Sequence, residues 1–171
     1  YYHYKGKDVI ITELFFDFET EIRQVLSAPI AKPLALEDNW IYLYIIFEEI
    51  FDFRFFYLNL TALLERIPDL RPRFSRLLAL KQATFTRLLE TLEREGHLFF
   101  RVDERDVLAE RLALHFTYWL PWAALRGGYA SPKAMIHEGV YSALSQITPY
   151  WTGSHEDYAT LLKDFLDSQI G

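Results

Sequence analysis

The sequence contains no cysteine among its 171 residues. This absence excludes a disulfide framework, a zinc site with thiolate ligands and a cysteine nucleophile. It fits a reducing compartment, so we expect a cytoplasmic protein. Long hydrophobic runs are lacking as well, because charged side chains at Glu48, Glu49, Asp52 and Arg54 interrupt the densest one, WIYLYIIFEEIFDFRFF. No membrane-spanning segment is therefore expected.

Positively charged residues are also fewer than negatively charged ones. The 18 Lys and Arg residues face 24 Asp and Glu residues, which gives a net charge of −6. Domains that bind nucleic acid are usually basic, so this chain is a poor candidate to hold DNA over most of its surface. Hydrophobic residues, in contrast, make up 51% of the chain and aromatic residues 17%. A chain of this length and composition is expected to form one globular domain with a substantial core.

Sequence motifs of several catalytic sites are absent. The segment HEGVY, residues 137–141, has Tyr141 where a zinc-protease helix needs its second histidine, and Gly127-Gly128 is not followed by a phosphate-binding Gly-Lys-Ser/Thr. No serine lies in a Gly-x-Ser-x-Gly turn. The carboxylates of residues 48–52 lack the Glu-x-x-His pairs of a helical metal site. We interpret them as a solvated face or as partners of Arg54, and we expect no catalytic residues, no metal and no cofactor.

Apolar residues recur at steps of three and four, which is the pattern of amphipathic helices. Pro29 and Pro33 are predicted to end the first helix, Gly96 to cap the fourth, and Ser131 to cap the sixth. No strand-like alternation of useful length appears. The sequence therefore predicts an all-α, multi-helix bundle of about seven helices, which cover residues 8–27, 36–51, 52–66, 70–95, 103–126, 131–148 and 154–169.

The opening residues YYHYKGKDVI resemble a segment of the TetR family of bacterial transcriptional regulators. In that family the DNA-reading helix ends in a sequence like Tyr-Tyr-His-Phe, and a lysine, a turn residue and a second lysine lead into the next helix. Here Tyr4 stands where the family has Phe, Gly6 is the turn residue, and residues 8–10 begin the next helix. Residues 51–74, FDFRFFYLNLTALLERIPDLRPRF, also resemble a segment of one large subgroup.

The resemblance implies that residues 1–15 are the end of a helix-turn-helix DNA-binding domain, most of which would be missing from this sequence. Residues 16–171 would form an effector-binding and dimerisation domain. The expected protein is a homodimeric regulator, most simply a repressor, that binds a DNA operator through that N-terminal domain. Tyr1, Tyr2, His3 and Lys7 are expected to contact DNA, whereas Tyr4 is expected to pack between the two domains.

We expect some of the many aromatic residues to line an effector pocket between helices. The predicted effector-binding residues are Tyr44, Phe47, Phe51, Phe55, His115, Tyr118, Trp119 and Trp122. The effector is expected to be small and largely apolar, because Arg54 is the only cation assigned to an inward face. Helices 103–126 and 131–150 are candidates for the dimer interface. Two alternatives remain open: these aromatic residues are ordinary core, or the chain is a helical small-molecule-binding protein or enzyme with no role at DNA.

Overall fold

The structure is a computed structural model that describes residues 2–32 and 34–170, without the side chains of residues 2–5, 165, 166 and 168–170. The described chain forms eight α-helices and, apart from one isolated bridge between Leu98 and Trp151, no β-structure. The predicted all-α fold is therefore confirmed. The helices are α1 Tyr2–Ala31, α2 Leu36–Asp52, α3 Arg54–Leu58, α4 Leu60–Arg66, α5 Leu70–Arg94, α6 Glu104–Arg126, α7 Pro132–Ile147 and α8 His155–Ile170, with a 3-10 turn at Thr148–Tyr150.

Helix α5 is the centre of the bundle, because it packs against both α1 and α6. Its buried residues follow steps of three and four, with Lys81 between Leu77 and Phe85, and the apolar ones are Leu70, Phe74, Leu77, Phe85, Leu88, Leu89 and Leu92. Helix α7 in turn packs against α2 and α6. None of the described helices is both long enough and apolar enough to cross a membrane.

Helix α1 is longer than predicted. It runs without interruption from Tyr2 to Ala31, so the predicted helix break at Gly6 and the predicted stop at Pro29 are both wrong. One glycine costs a helix only about 1 kcal/mol, which packing elsewhere along the helix can offset. Pro29 lacks the N–H that would bond to the carbonyl of Val25, and the Tyr42 hydroxyl donates to that carbonyl instead, at 2.7 Å. Pro33 lies outside the described residues.

Ionic contacts join α1 to α4 and α5. The Glu19 carboxylate is 7% exposed and accepts from Arg73 Nε at 2.9 Å and from Arg23 Nη2 at 3.2 Å. Burial opposes the ionisation of Glu19, but the hydrogen bonds from Arg73 and Arg23 outweigh it and lower the pKa of the carboxyl group. Near the start of α1, Asp8 accepts from Arg66 Nε at 2.6 Å.

The helix ends largely follow their predicted signals. The Ser131 hydroxyl accepts from the backbone N–H of Ala134, as expected for an N-cap. Gly96, just beyond α5, has a positive φ of 83°, which suits a glycine after a helix end. Asp103 precedes α6, but its side chain makes no capping bond. The Glu104 carboxylate instead accepts from the backbone N–H of Arg101, at 2.7 Å.

Candidate functional site

Aromatic rings from α2 and α6 form one connected cluster. Phe47 stacks on Phe116 with a centroid separation of 4.1 Å, and it meets His115 edge-on at 5.8 Å. Trp119 lies 5.1 Å from His115 and 5.0 Å from Trp122. The structure thus brings together four of the eight residues predicted for the effector, namely Phe47, His115, Trp119 and Trp122.

Two polar atoms of this cluster already have protein partners. His115 Nε2 donates to the carbonyl of Gly139 at 2.9 Å, and Trp119 Nε1 donates to the carbonyl of Met135 at 3.1 Å. Burial lowers the pKa of His115, although the bond to Gly139 partly opposes this. A Cβ on Gly139 would lie 2.6 Å from Trp119 Nε1, so the absence of a side chain there allows the indole to approach α7. These two nitrogen atoms therefore need no ligand as a hydrogen-bond partner.

The other four predicted effector residues lie outside this ring cluster, although Tyr118 adjoins His115, Trp119 and Trp122 in the lining of an open groove. Phe55 is 47% exposed and contacts Phe56, whereas Tyr44 is buried on α2. Phe51 is half-buried, and the Arg54 guanidinium lies 4.6 Å above its ring. Tyr118 points outward from α6 and is 50% exposed. These four side chains line no common enclosed space in the described part of the molecule.

An open groove lies between α6 and α7. Its volume is about 420 Å³, and its lining residues are Arg111, Leu114, His115, Tyr118, Trp119, Trp122, Ser142 and Gln146. Large apolar side chains stand exposed along α6 beside it, and we call Val107, Leu114, Tyr118, Trp122 and Leu125 the α6 stripe. Their spacing of three, four or seven residues places them on one face of the helix. Leu125 is 90% exposed and Leu114 59% exposed.

A second space lies inside the bundle, enclosed by α2, α5, α6 and α7. Its volume is about 10 Å³, close to the minimum for one water molecule. Its lining residues are Asn39, Trp40, Leu43, Phe85, Leu88, Leu89, Leu92, Leu112 and Ile147, and none of the eight predicted effector residues is among them. The aromatic cluster nevertheless reaches this cavity, because Phe116 contacts both Phe47 and the cavity residue Phe85, the latter at 4.9 Å.

Lys81 is a buried cation that sequence reasoning did not identify. It occupies the apolar stripe of α5, four residues before Phe85, and is 2% exposed. Its Nζ donates to Thr117 Oγ1 at 3.1 Å and lies 5.2 Å from the ring centre of Tyr57. Burial lowers the pKa of Lys81 from 10.5 to about 7. The expectation that Arg54 is the only inward cation is therefore wrong. The spacing of the sequence indicated this burial, because a lysine that lies four residues from apolar neighbours on a helix faces the same side as they do.

Arg54 itself does not make the predicted ion pairs. Its Nη1 donates to the carbonyl of Phe51 at 3.0 Å, and within the described residues no salt bridge joins it to Glu48, Glu49 or Asp52. Burial, followed by the neighbouring Glu21 and Asp52 carboxylates, raises the pKa of Glu49. No group of three or more His, Cys, Asp or Glu in the described part of the chain is arranged to hold a metal ion.

Of the predicted DNA-contacting residues, Tyr2, His3 and Lys7 lie in the first two turns of α1. Tyr1 falls outside the described residues, and for Tyr2 and His3 only the helical backbone is described. Lys7 is exposed on α1, one residue before the Asp8–Arg66 pair. Its ammonium group is thus available to an external anion.

Comparison with known proteins relates the chain to one family. The TetR family model, described as "Bacterial transcriptional repressor", matches residues 17–158. The crystal structure of a TetR-family transcriptional regulator from Marinobacter aquaeolei VT8 is similar to this structure, with a TM-score of 0.81 and 27% sequence identity. The match covers 96% of this chain and 80% of that chain. No curated protein matches the chain.

Proposed function

Since the chain belongs to the TetR family of transcriptional regulators, we propose that it acts as a homodimeric repressor whose DNA binding is controlled by a small, largely apolar effector. The α6 stripe is the observation that carries this proposal. A DNA site built from two half-sites requires a two-fold protein, and the α6 stripe supplies an apolar surface on which two copies can meet.

The dimer surface is proposed to comprise α6 and α7. Beside the α6 stripe, Tyr141 on α7 is 49% exposed, so both helices present apolar area to the outside. Contiguous apolar patches of this kind are rare on monomers and usually mark interfaces. In a two-fold dimer the same patch meets itself, which would cover the open groove between the two helices.

A substitution on the α6 stripe tests the dimer. Leu114→Arg places a charge at the middle of the stripe and should convert the dimer into a monomer in sedimentation velocity at micromolar concentration. Thr61→Arg, which places the same charge at an exposed position on α4, serves as the matched control and should remain dimeric. A wild-type chain that sediments as a monomer would contradict the proposal.

DNA contact is proposed for Tyr1, Tyr2, His3 and Lys7. A lysine that pairs with phosphate contributes affinity that depends on salt but not on sequence. Lys7→Ala in the complete protein should therefore weaken binding to all DNA sequences about equally, and it should lower the salt dependence by about one phosphate contact. Fluorescence anisotropy over a salt series measures both. A loss restricted to one base position of the operator would mean that Lys7 reads a base.

The effector is proposed to bind inside the bundle, at the enclosed cavity and the aromatic cluster that adjoins it. The lining of the cavity contains no charged side chain, which favours an apolar ligand. Rings in contact run from Phe85 at the cavity through Phe116 and Phe47 to Trp119 and Trp122 at the groove. Interiors are close-packed, so a ligand that displaces Phe85 would displace these rings and change the dimer surface.

A further inference from the structure

The N-terminal turns of α1 are held only loosely by the core. Among the side chains described there, Val9 is 57% exposed and Ile10 58% exposed, and Ile11 is half-buried. The first fully buried residue of the helix is Phe15, at 1% exposed. Apolar packing alone therefore does little to fix the orientation of this end of α1.

The ion pair between Asp8 and Arg66 joins this end of α1 to the bundle. Asp8 Oδ1 accepts from Arg66 Nε at 2.6 Å, although 58 residues separate the two in sequence. Arg66 is the last residue of α4, and that end of the helix is seated in the core, since Leu63 is 7% exposed and Ile67 is half-buried against the core. The pair thus connects a weakly packed helix end to a fixed point.

The charge of Asp8 is unfavourable at this position if it has no other role. Asp8 directly follows Lys7, for which phosphate contact is proposed above, and a carboxylate so close to a phosphate repels it. By charge alone, removing the Asp8 carboxylate should strengthen DNA binding and removing the Arg66 guanidinium should weaken it. A role for the pair in orienting α1 predicts a different result, because each substitution breaks the same contact.

We propose that Asp8 and Arg66 are positioning residues for DNA binding, and that their ion pair holds the N-terminal end of α1 where Lys7 meets a phosphate. This inference rests on the proposed regulator function and adds two residues to it. A two-fold dimer must present both DNA-contacting ends at the spacing of the half-sites. Fixing each end in advance lowers the ordering cost of binding, and the pair acts once in each protomer.

A double-mutant cycle in the complete protein tests the pair. The probe is a fluorescent duplex that the wild-type protein enriches from a random-sequence pool, and affinity is measured by fluorescence anisotropy. Asp8→Asn and Arg66→Gln should each weaken binding by about three- to tenfold, the range expected when an exposed ion pair is lost in both protomers. The double variant should lose no more than the weaker single variant, because both substitutions remove one shared interaction.

Two substitutions at exposed positions serve as matched controls. Glu13 lies on α1 and Arg71 on α5, and neither belongs to an ion pair among the described residues. Glu13→Gln and Arg71→Gln make the same changes of charge and should not reproduce the loss. Urea unfolding midpoints of all variants should stay close to that of the wild type, since exposed ion pairs contribute little to stability. A loss of affinity without a loss of stability separates positioning from a general structural role.

Two results would overturn the inference. One is an Asp8→Asn variant that binds the duplex as tightly as the wild type or more tightly, which would mean that the carboxylate acts only through its charge. The other is a double variant whose loss is the product of the two single losses, which would mean that the residues act independently. A wild-type protein that enriches no duplex would instead contradict the proposed regulator function itself, so the two failures are distinguishable.

Discussion

Replacing Lys81 with methionine should make the protein more stable at neutral pH. The substitution keeps most of the apolar stem and removes the buried ammonium group. Thr117 Oγ1 loses one donor but still donates to the carbonyl of Ala113 at 2.7 Å, so little hydrogen bonding is sacrificed. Removing a buried charge that has no opposite charge beside it usually stabilises a fold. We expect a gain of several kcal/mol, on the order of the energy of the pKa shift.

The pH dependence of this gain follows from the direction of the shift. The pKa of Lys81 is lowered from 10.5 to about 7 in the folded state. Between these two values the unfolded chain binds a proton that the folded chain releases, so wild-type stability rises with pH across this window. Below about pH 7 both states are protonated and the penalty is constant. From pH 7 to pH 9 the contribution of Lys81 should amount to about 2 kcal/mol.

Urea unfolding at pH 7 and pH 9, at one fixed protein concentration, measures this difference. Lys81→Met should lack the part of the pH-dependent rise that Lys81 supplies, whereas Lys163→Met, at an exposed position on α8, should keep it. Work above pH 9 is avoided because unfolded tyrosines begin to ionise near pH 10. If Lys81→Met and the wild type gained equal stability between pH 7 and pH 9, the ammonium would not be desolvated and our account of this site would be refuted.

Two further substitutions test the packing of α1 and α7. Tyr42→Phe removes the donor to the carbonyl of Val25 and should cost about 1–3 kcal/mol. Adding Pro29→Ala should recover most of that cost in urea unfolding, because the alanine N–H can bond to Val25, and purely additive effects would argue against this pairing. Gly139→Ala places a Cβ 2.6 Å from Trp119 Nε1 and should destabilise the fold by about 1–3 kcal/mol, with a change in near-ultraviolet circular dichroism. An unaltered tryptophan spectrum would mean that the indole has room to move.

Helix positions were largely predictable from the sequence, because apolar spacing and end signals act locally. The stripe on α5 and the cap at Ser131 are examples, since each depends on residues within two turns of the helix. The end of α1 was not predictable in the same way. Whether Pro29 stops a helix depends on a hydroxyl supplied by Tyr42, which belongs to the next helix, and no local pattern reports such a partner.

The candidate site was less predictable than the fold. Aromatic residues were expected to form the pocket because they are large and numerous, and several of them do form one cluster. The enclosed cavity, however, is lined mainly by leucines and by Asn39, whose sequence signal is indistinguishable from that of ordinary helix residues. A cavity arises from imperfect packing between four helices, and that mismatch appears only when all four are in place.

Because α1 is one unbroken helix, a small tilt near one end displaces the other end by several ångströms. Its 30 residues correspond to roughly 45 Å at about 1.5 Å per residue. The helix is tied to the bundle near both ends, by the Asp8–Arg66 pair and by Thr84 Oγ1, which donates to the carbonyl of Leu26 at 2.7 Å. A tilt of about 5° around Leu26 would move the backbone at Lys7 by roughly 2.5 Å, because about 19 residues, or about 28 Å of helix, separate the two. A displacement of that size at Lys7 is large compared with the tolerance of a hydrogen bond to phosphate. Slight repacking in the interior would therefore be amplified into a displacement at the N-terminal end of α1, where we propose that DNA is contacted.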